Sequence, residues 1–216
     1  MKPSRILFVS SMVQFALLIP LARWAYRHQR PLREVMLTHF LQKNQKSWKR
    51  MIVTILNTFT GSSAFLNVLV VPIAAVLWRR HLRAEALVMP ASCWSGALVR
   101  TILKQAIHRP RPNRPLVHVK SQSPGKSFPS GHVASSVCMW GWIGALGFFH
   151  KNKAQPARHA LLAIPIMCAG FTGPARVYLG DHWPTDVLGG YLFGGGWLAL
   201  SLSLYLLMRD RMSAQA

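Results

Sequence analysis

The chain has 216 residues, of which 51% are hydrophobic and 14% are charged. Its 26 Lys and Arg residues against five Asp and Glu give a formal net charge of +21, a value also seen in nucleic-acid-binding proteins. The basic residues, however, lie mainly between long uncharged apolar blocks and form no recognisable nucleic-acid-binding module. The pattern therefore favours a protein whose partners are membrane lipids, and it argues against a nucleic-acid partner.

Several uncharged blocks are long enough, or nearly so, to cross a hydrocarbon core that takes roughly 20 helical residues. They cover residues 6–22, 51–78, 133–149 and 187–208. Residues 86–106 and 160–175 are further candidates, although the first contains two basic residues and the second is short. Because most of these blocks have no polar face, we predict an all-α bundle of six transmembrane helices forming one domain over residues 1–216. Buried helices of a soluble protein are the disfavoured alternative.

The first half of the chain leaves two local questions open. Lys2 and Arg5 precede an apolar stretch as in a signal peptide, but no small-residue cleavage site follows, so we predict an uncleaved first span. Residues 27–50 are basic with interleaved apolar side chains, which fits either a short helix on the membrane surface or a solvated loop. Residues 57–63 are polar, so we place the second membrane helix in the later part of its block.

The three cysteines are expected to be packing residues. Cys93, Cys138 and Cys168 lie inside apolar blocks, and no two of them form a CxxC pair. This pattern favours neither a disulfide framework nor a metal site.

Three clusters of polar residues lie at the ends of apolar blocks. They run from Lys104 to Pro112, from Pro129 to His132, and from Arg176 to Asp186. The first follows the third span, the second begins the fourth, and the third lies between the fifth and sixth. These positions share one side of the membrane, so the three clusters can converge on one site, with residues 108–128 and 176–183 as its loops.

The first cluster can bind an anion. Lys104 offers a compact positive charge and Arg111 a planar fork, and both suit phosphate oxygens. Pro110 and Pro112 are expected to end the helix that carries Lys104. In the alternative, Lys104 and Arg100 reach the membrane interface, and the loop arginines, including Arg109 and Arg114, contact lipid headgroups.

The second cluster predicts the first turn of the fourth membrane helix, with Pro129 at the first helical position. The free N–H groups of a helix start bind anions, and Gly131 lets a ligand approach the backbone closely. His132 would face the same point. In the alternative, Ser130 only caps the helix and His132 is an interfacial histidine.

The third cluster is the most specific of the three. Pro184 indicates that the sixth span begins beside His182, and Asp186 follows four residues later on the same helix face. Asp186 can accept a hydrogen bond from one ring nitrogen of His182, which leaves the other nitrogen free for nucleophilic attack. Arg176, across a short loop, can bind the same phosphate. An incidental pair at the interface is the alternative.

Together the clusters resemble the type 2 phosphatidic acid phosphatase (PAP2) superfamily, whose pattern is KxxxxxxRP, then PSGH, then SRxxxxxHxxxD. Residues 104–112 fit the first element at full spacing, and residues 129–132 match the second letter for letter. Arg176, His182 and Asp186 match the third with both gaps intact. One departure is Ala175, which stands where the pattern has serine. One auxiliary hydrogen bond is then missing, but we expect activity to survive because the nucleophile and its orienting acid remain.

The resemblance implies an enzyme that hydrolyses a lipid phosphate or diphosphate without a metal ion or other cofactor. Candidate substrates are undecaprenyl diphosphate, phosphatidate and phosphatidylglycerol phosphate. His182 is implied to form a phosphohistidine, Asp186 to orient it, and His132 to protonate the leaving oxygen and then activate water. The implied phosphate-binding residues are Lys104, Arg111, Ser130, Gly131 and Arg176. A lipid phosphotransferase and a non-catalytic lipid-binding protein are the alternatives.

The resemblance also implies a location, namely a bacterial inner membrane with the site on its extracytoplasmic face. With the N-terminus inside, ten of the 26 Lys and Arg residues lie on the cytoplasmic side and the other sixteen lie outside. That distribution runs against the positive-inside tendency. We follow the family orientation because several of the outside cations belong to the predicted site.

Overall fold

The computed structural model describes residues 2–119, 124–149 and 155–215, and within these ranges every regular element is a helix. The helices are α1 (Pro3–Arg27), α2 (Leu32–Gln42), α3 (Ser47–Gly61), α4 (Ser63–Arg79), α5 (Arg83–Ile107), α6 (Gly131–Phe149), α7 (Gln155–Tyr178) and α8 (Pro184–Gln215). Five of them are long and apolar enough to span a membrane, and α3 with α4, bent by 45° at their junction, is a candidate for a sixth span. The predicted all-α membrane bundle is confirmed.

The core lies where α6 and α8 meet the surrounding helices. α8 packs along α1 and α6, α7 packs along α6, and α5 packs along α4. Trp142 of α6 and Tyr205 of α8 are buried in this core, with ring centroids 5.8 Å apart. Large apolar side chains such as Val68 and Ile166 are instead more than 70% exposed on the outside of the bundle. An outer apolar surface with a packed interior is the arrangement of an integral membrane protein.

The second apolar block is interrupted within its polar stretch, and α4 (Ser63–Arg79) occupies the later part of the block, as predicted. The residues before the break are helical as well, because α3 continues to Gly61 and breaks only at Ser62. The polar groups there face neighbouring helices. Trp140 Nε1 donates to the Thr60 carbonyl at 2.8 Å, and the Thr172 hydroxyl lies 3.2 Å from Thr60 Oγ1. These contacts satisfy polar groups inside the bundle, so the helix does not need to stop.

Residues 27–50 contain a helix. Of the two alternatives for this segment, a short surface helix and a solvated loop, the structure agrees with the helix. The buried side chains of α2 are polar: Glu34, Thr38 and Gln42. Its most exposed large side chains are apolar: Leu32, Met36 and Phe40, each at least 70% exposed. The helix therefore packs its polar face onto the protein and presents an apolar face outward, as a helix at a membrane interface does.

Of two helix boundaries near the predicted site, the end of α5 agrees with expectation and the end of α7 does not. α5 ends at Ile107, before the prolines, because His108 adopts the left-handed conformation with φ 54°. α7 continues through Arg176 to Tyr178, so Arg176 lies in the last turn of a helix and the loop shortens to 179–183. A left-handed Gly180 (φ +74°) then turns the chain.

Of the remaining two helix starts, one differs from its prediction and one agrees with it. α6 begins at Gly131, so Pro129 precedes the helix and does not occupy its first position. α8 begins at Pro184 as predicted.

A close crossing of α8 over α6 supports the start of α6. A Cβ atom at Gly190 would lie 2.9 Å from the Ser130 carbonyl oxygen and 2.9 Å from Val133 Cβ. We expect Gly190→Ala to displace the Ser130 turn, to cost about 1–3 kcal/mol of stability and to slow catalysis. The matched control is Gly170→Ala, because a Cβ atom there meets nothing within 4 Å. Thermal unfolding in detergent and turnover measure both effects, and equal behaviour of the two variants would contradict the packing argument.

Candidate active site

The structure brings the three predicted clusters together at one end of the bundle. His182 is fully buried, and burial is the main reason that its pKa lies well below the usual value. Neighbouring charges lower this pKa further. These neighbours are Arg111, Lys104, Arg176 and His132. One imidazole therefore has members of all three clusters around it and is neutral in the free protein.

The tautomer of His182 follows from its contact with Arg111. Arg111 NH1 lies 3.2 Å from His182 Nε2. A guanidinium group can only donate hydrogen bonds, so Nε2 must accept with its lone pair. The neutral ring then carries its proton on Nδ1. The nitrogen that faces the cations is accordingly the one that carries the lone pair.

The orienting contact of His182 is longer than predicted. His182 Nδ1 lies 3.6 Å from Asp186 Oδ2, which is beyond hydrogen-bond length, and it has no hydrogen-bond partner in the described part of the chain. Contacts of this kind are often long in ligand-free sites and shorten when substrate binds. The geometry therefore places Asp186 beside the correct ring nitrogen without closing the bond.

Asp186 is itself firmly held. Its Oδ2 accepts the Trp183 backbone N–H at 2.8 Å, and its Oδ1 accepts from Arg109 NH1 at 2.7 Å. Its backbone carbonyl accepts the Ser130 N–H at 2.8 Å, which ties the second cluster to the third. The carboxylate thus has a fixed orientation before any substrate arrives.

Backbone carbonyls and one carboxylate position the cations of the site. Lys104 Nζ donates to the Lys126 carbonyl at 2.8 Å, and Arg111 NH1 donates to the Asp181 carbonyl at 2.9 Å. Arg176 NH2 lies 3.1 Å from Asp181 Oδ2. Most of the positive charge remains uncompensated, so the site attracts a multiply charged anion.

Some buried polar atoms of the site have no hydrogen-bond partner among the described residues. They are Ser130 Oγ, Arg176 Nε and His182 Nδ1. Buried polar groups are normally satisfied, and a phosphate group offers the acceptors that the first two lack. The alternative in which Ser130 acts only as a helix cap is not supported, because its hydroxyl makes no capping hydrogen bond to a described residue.

Sequence reasoning missed three residues of the site. Arg109 lies outside the motif positions, yet it is fully buried and forms an ion pair with Asp186. Arg100 donates to the Gly131 carbonyl at 3.2 Å and so supports the start of α6. Glu34 of α2 contacts Arg109. The one available signal was that Glu34 is the only acidic residue before Glu85, within a strongly basic segment.

The contact between Arg111 and His182 predicts a change in pH dependence. The positive charge of Arg111 lowers the pKa of His182, so Arg111→Gln should raise that pKa toward its ordinary value. The ring is then protonated at a higher pH, and the acid limb of kcat/KM moves upward. We also expect kcat/KM to fall about 10²-fold, as when one donor to a developing anion is lost. Arg114→Gln is the control because Arg114 is exposed on the same loop. An unshifted acid limb would contradict this prediction.

An integral membrane protein with a buried histidine, an adjacent carboxylate and a ring of cations belongs to the class that handles phosphate groups at a membrane. Residues 85–209 match the PAP2 superfamily. Over 151 residues the chain is 33% identical to phosphatidylglycerophosphatase B of Bacillus subtilis, which covers 69% of this chain and 72% of the relative. The chain belongs to the PAP2 superfamily and is a phosphoric ester hydrolase.

Other similarities agree with this assignment. The crystal structure of a transmembrane PAP2 type phosphatidylglycerolphosphate phosphatase from Bacillus subtilis superposes with a TM-score of 0.78 at 25% identity, covering 93% of this chain and 96% of that one. A lipid A 1-phosphatase of Rhizobium etli is 31% identical over 117 residues, covering 51% of this chain and 46% of the relative. These relatives are bacterial lipid phosphatases.

Proposed function

We propose that this protein hydrolyses the phosphate or diphosphate group of a membrane lipid through a phosphohistidine at His182. The observation that carries the proposal is the contact of Arg111 with His182 Nε2, because it requires a lone pair on the nitrogen that faces the cations. A neutral imidazole in that orientation is a nucleophile already aimed at the place where a phosphate binds.

The proposed reaction has two steps. In the first, His182 Nε2 attacks phosphorus, the bond from phosphorus to the lipid oxygen breaks, and His132 gives a proton to that oxygen. In the second, His132 takes a proton from water, which attacks phosphorus and breaks the bond to nitrogen. Asp186 stabilises the positive charge that develops on the His182 ring.

The cations of the site carry the electrostatic part of the mechanism. Lys104, Arg111 and Arg176 surround His182, and the start of α6 at Ser130 and Gly131 adds backbone N–H groups. Together they stabilise the negative charge on the transferring phosphoryl group. For this reason we propose that the reaction proceeds without a metal ion.

The substrate is proposed to be a lipid whose headgroup reaches the end of the bundle while its tail stays among the exposed apolar side chains. Phosphatidylglycerol phosphate is the first candidate because the Bacillus subtilis relative that covers most of this chain is named for it. Undecaprenyl diphosphate and phosphatidate are the other two. We place the protein in a bacterial inner membrane with the site on the extracytoplasmic face, which topology reporters fused after Arg158 and near Arg114 can test. A cytoplasmic signal near Arg114 would reverse the orientation.

Phosphate release from defined lipids tests the proposed activity. Purified protein in detergent is given each of the three lipids in the presence of a chelator, and released phosphate is measured. Release from at least one lipid, undiminished by the chelator, is expected. Phosphate that appears only on an added acceptor lipid would establish a phosphotransferase, and no turnover under any condition would overturn both activities.

A further inference from the structure

A buried carboxylate on α2 uses both of its oxygens at the start of α8. Glu34 Oε1 accepts from the Thr185 backbone N–H at 2.7 Å and from the Thr185 hydroxyl at 2.6 Å. Glu34 Oε2 accepts from Arg109 NH2. The carboxylate therefore caps the N-terminus of α8, where a negative charge is favourable, and forms an ion pair in the same place.

Arg109 joins this carboxylate to the one beside the nucleophile. Its NH2 group contacts Glu34, and its NH1 group donates to Asp186 Oδ1 at 2.7 Å. NH1 also donates to Thr185 Oγ1 at 2.6 Å, and the guanidinium carbon lies 5.8 Å from the centre of the Trp24 ring. Two carboxylates and one guanidinium thus form a continuous buried chain from α2 to Asp186.

Burying these charges is costly unless each one is paired, so their arrangement calls for a physical reason. The orientation of the Asp186 carboxylate depends on two donors, Arg109 on Oδ1 and the Trp183 N–H on Oδ2. The oxygen that faces His182 Nδ1 is Oδ2, at 3.6 Å. If Arg109 moves, Asp186 can rotate away from the ring. Glu34 fixes one of the two amino groups of Arg109 and thereby limits that movement.

We infer that Glu34 is a positioning residue for the reaction, acting through Arg109 to hold Asp186 against His182. This inference rests on the proposed phosphohistidine chemistry. It gives α2 a role in catalysis, although no residue of α2 belongs to the three clusters. Since the opposite face of α2 is apolar and exposed, the helix that presents Glu34 also lies where lipid contacts it.

A second residue also attaches α2 to the protein, by contacts that are separate from those of Glu34. Gln42 lies on the same buried face, donates from Nε2 to the carbonyls of His118 (2.8 Å) and Tyr178 (3.1 Å), and accepts the His118 N–H at 3.1 Å. None of these contacts involves Arg109 or Asp186. Gln42→Leu therefore removes contacts of α2 that do not belong to the chain of charges, and it serves as the matched control.

Kinetics of single and double variants test the inference. Glu34→Gln removes the charge at nearly constant volume, and we expect kcat to fall between about 10- and 100-fold with KM little changed, because the nucleophile is misplaced but the phosphate-binding cations remain. Gln42→Leu should keep most of kcat. In an Asp186→Asn background, Glu34→Gln should cause no further loss, since both changes act through one carboxylate. An additive loss, or an equal loss in Gln42→Leu, would overturn the inference in favour of a purely structural role.

Binding of orthovanadate gives a measurement that needs no turnover. Vanadate forms a bond to a correctly oriented imidazole nitrogen. Inorganic phosphate forms no such bond, so its affinity measures the contribution of the cations alone. We expect Glu34→Gln to weaken vanadate binding about tenfold and to leave phosphate binding unchanged. Equal vanadate affinity in Glu34→Gln and the wild type would reject the positioning role even in an active enzyme. A wild type that binds vanadate but hydrolyses no lipid would instead reject the proposed function.

Discussion

Replacing His182 by asparagine is expected to reduce phosphate release from a lipid substrate by at least about 10³-fold, since loss of a nucleophile removes the covalent route entirely. The ring is 1% exposed, and its Nε2 faces Arg111, so the variant loses the nitrogen that faces the phosphate-binding cations. Turnover of the purified variant is compared with the wild type under identical detergent conditions.

The control for this variant is His159→Asn, which changes an exposed histidine of α7 outside the site. It should retain full activity. Because His182 is buried, thermal unfolding of His182→Asn is measured alongside, and a second variant, His182→Gln, covers the case in which asparagine destabilises the fold. Substantial turnover in a folded His182 variant would mean that another group forms the covalent intermediate or that none is formed.

Replacing His132 by glutamine is expected to separate the two proposed steps. Overall turnover of a lipid substrate should fall about 10²–10⁴-fold, the range expected for loss of a general acid and base. With p-nitrophenyl phosphate, whose leaving group needs no protonation, the first step should survive while hydrolysis of the intermediate becomes slow. A burst of nitrophenol equal to the enzyme concentration and an acid-labile, base-stable phosphoenzyme are the expected signs.

The double variant His132→Gln/His182→Asn provides the control for that burst, because it lacks the nucleophile and should release nitrophenol only at the background rate. A phosphoenzyme that persists in the double variant would place the phosphate on another residue. Steady turnover of His132→Gln at the wild-type rate would remove His132 from the mechanism.

Much of the fold could be predicted because hydrophobic blocks and helix-breaking residues are local signals. Pro184 marked the start of α8, and the uncharged blocks marked the spans. The differences have two causes. The polar residues before Ser62 are helical because Thr60 and its neighbours find partners on α6 and α7. Arg176 is helical for a local reason, since the chain first turns at the left-handed Gly180.

For the site, too, the features set by local spacing were predictable from the sequence, and those set by tertiary packing were not. The spacing of His182 and Asp186 on one helix is a local property, so their proximity was predictable, although the 3.6 Å separation was not. Glu34 is 75 residues from Arg109 and 151 from Thr185, and no periodicity or motif connects positions so far apart. Its role depends on how α2 packs, and the polar face of α2 packs inward.

The sequence alone predicted the membrane class, the helical spans and the three clusters that could meet around one phosphate. These features depend on the length of apolar blocks and on residue spacing, which are properties of short stretches of chain. The tertiary structure decided which atoms meet. It placed the lone pair of His182 toward Arg111, and it bonded Asp186 to Arg109 and, through it, to Glu34. Burial makes these contacts decisive, since a charge removed from water must find its partner wherever the fold provides one.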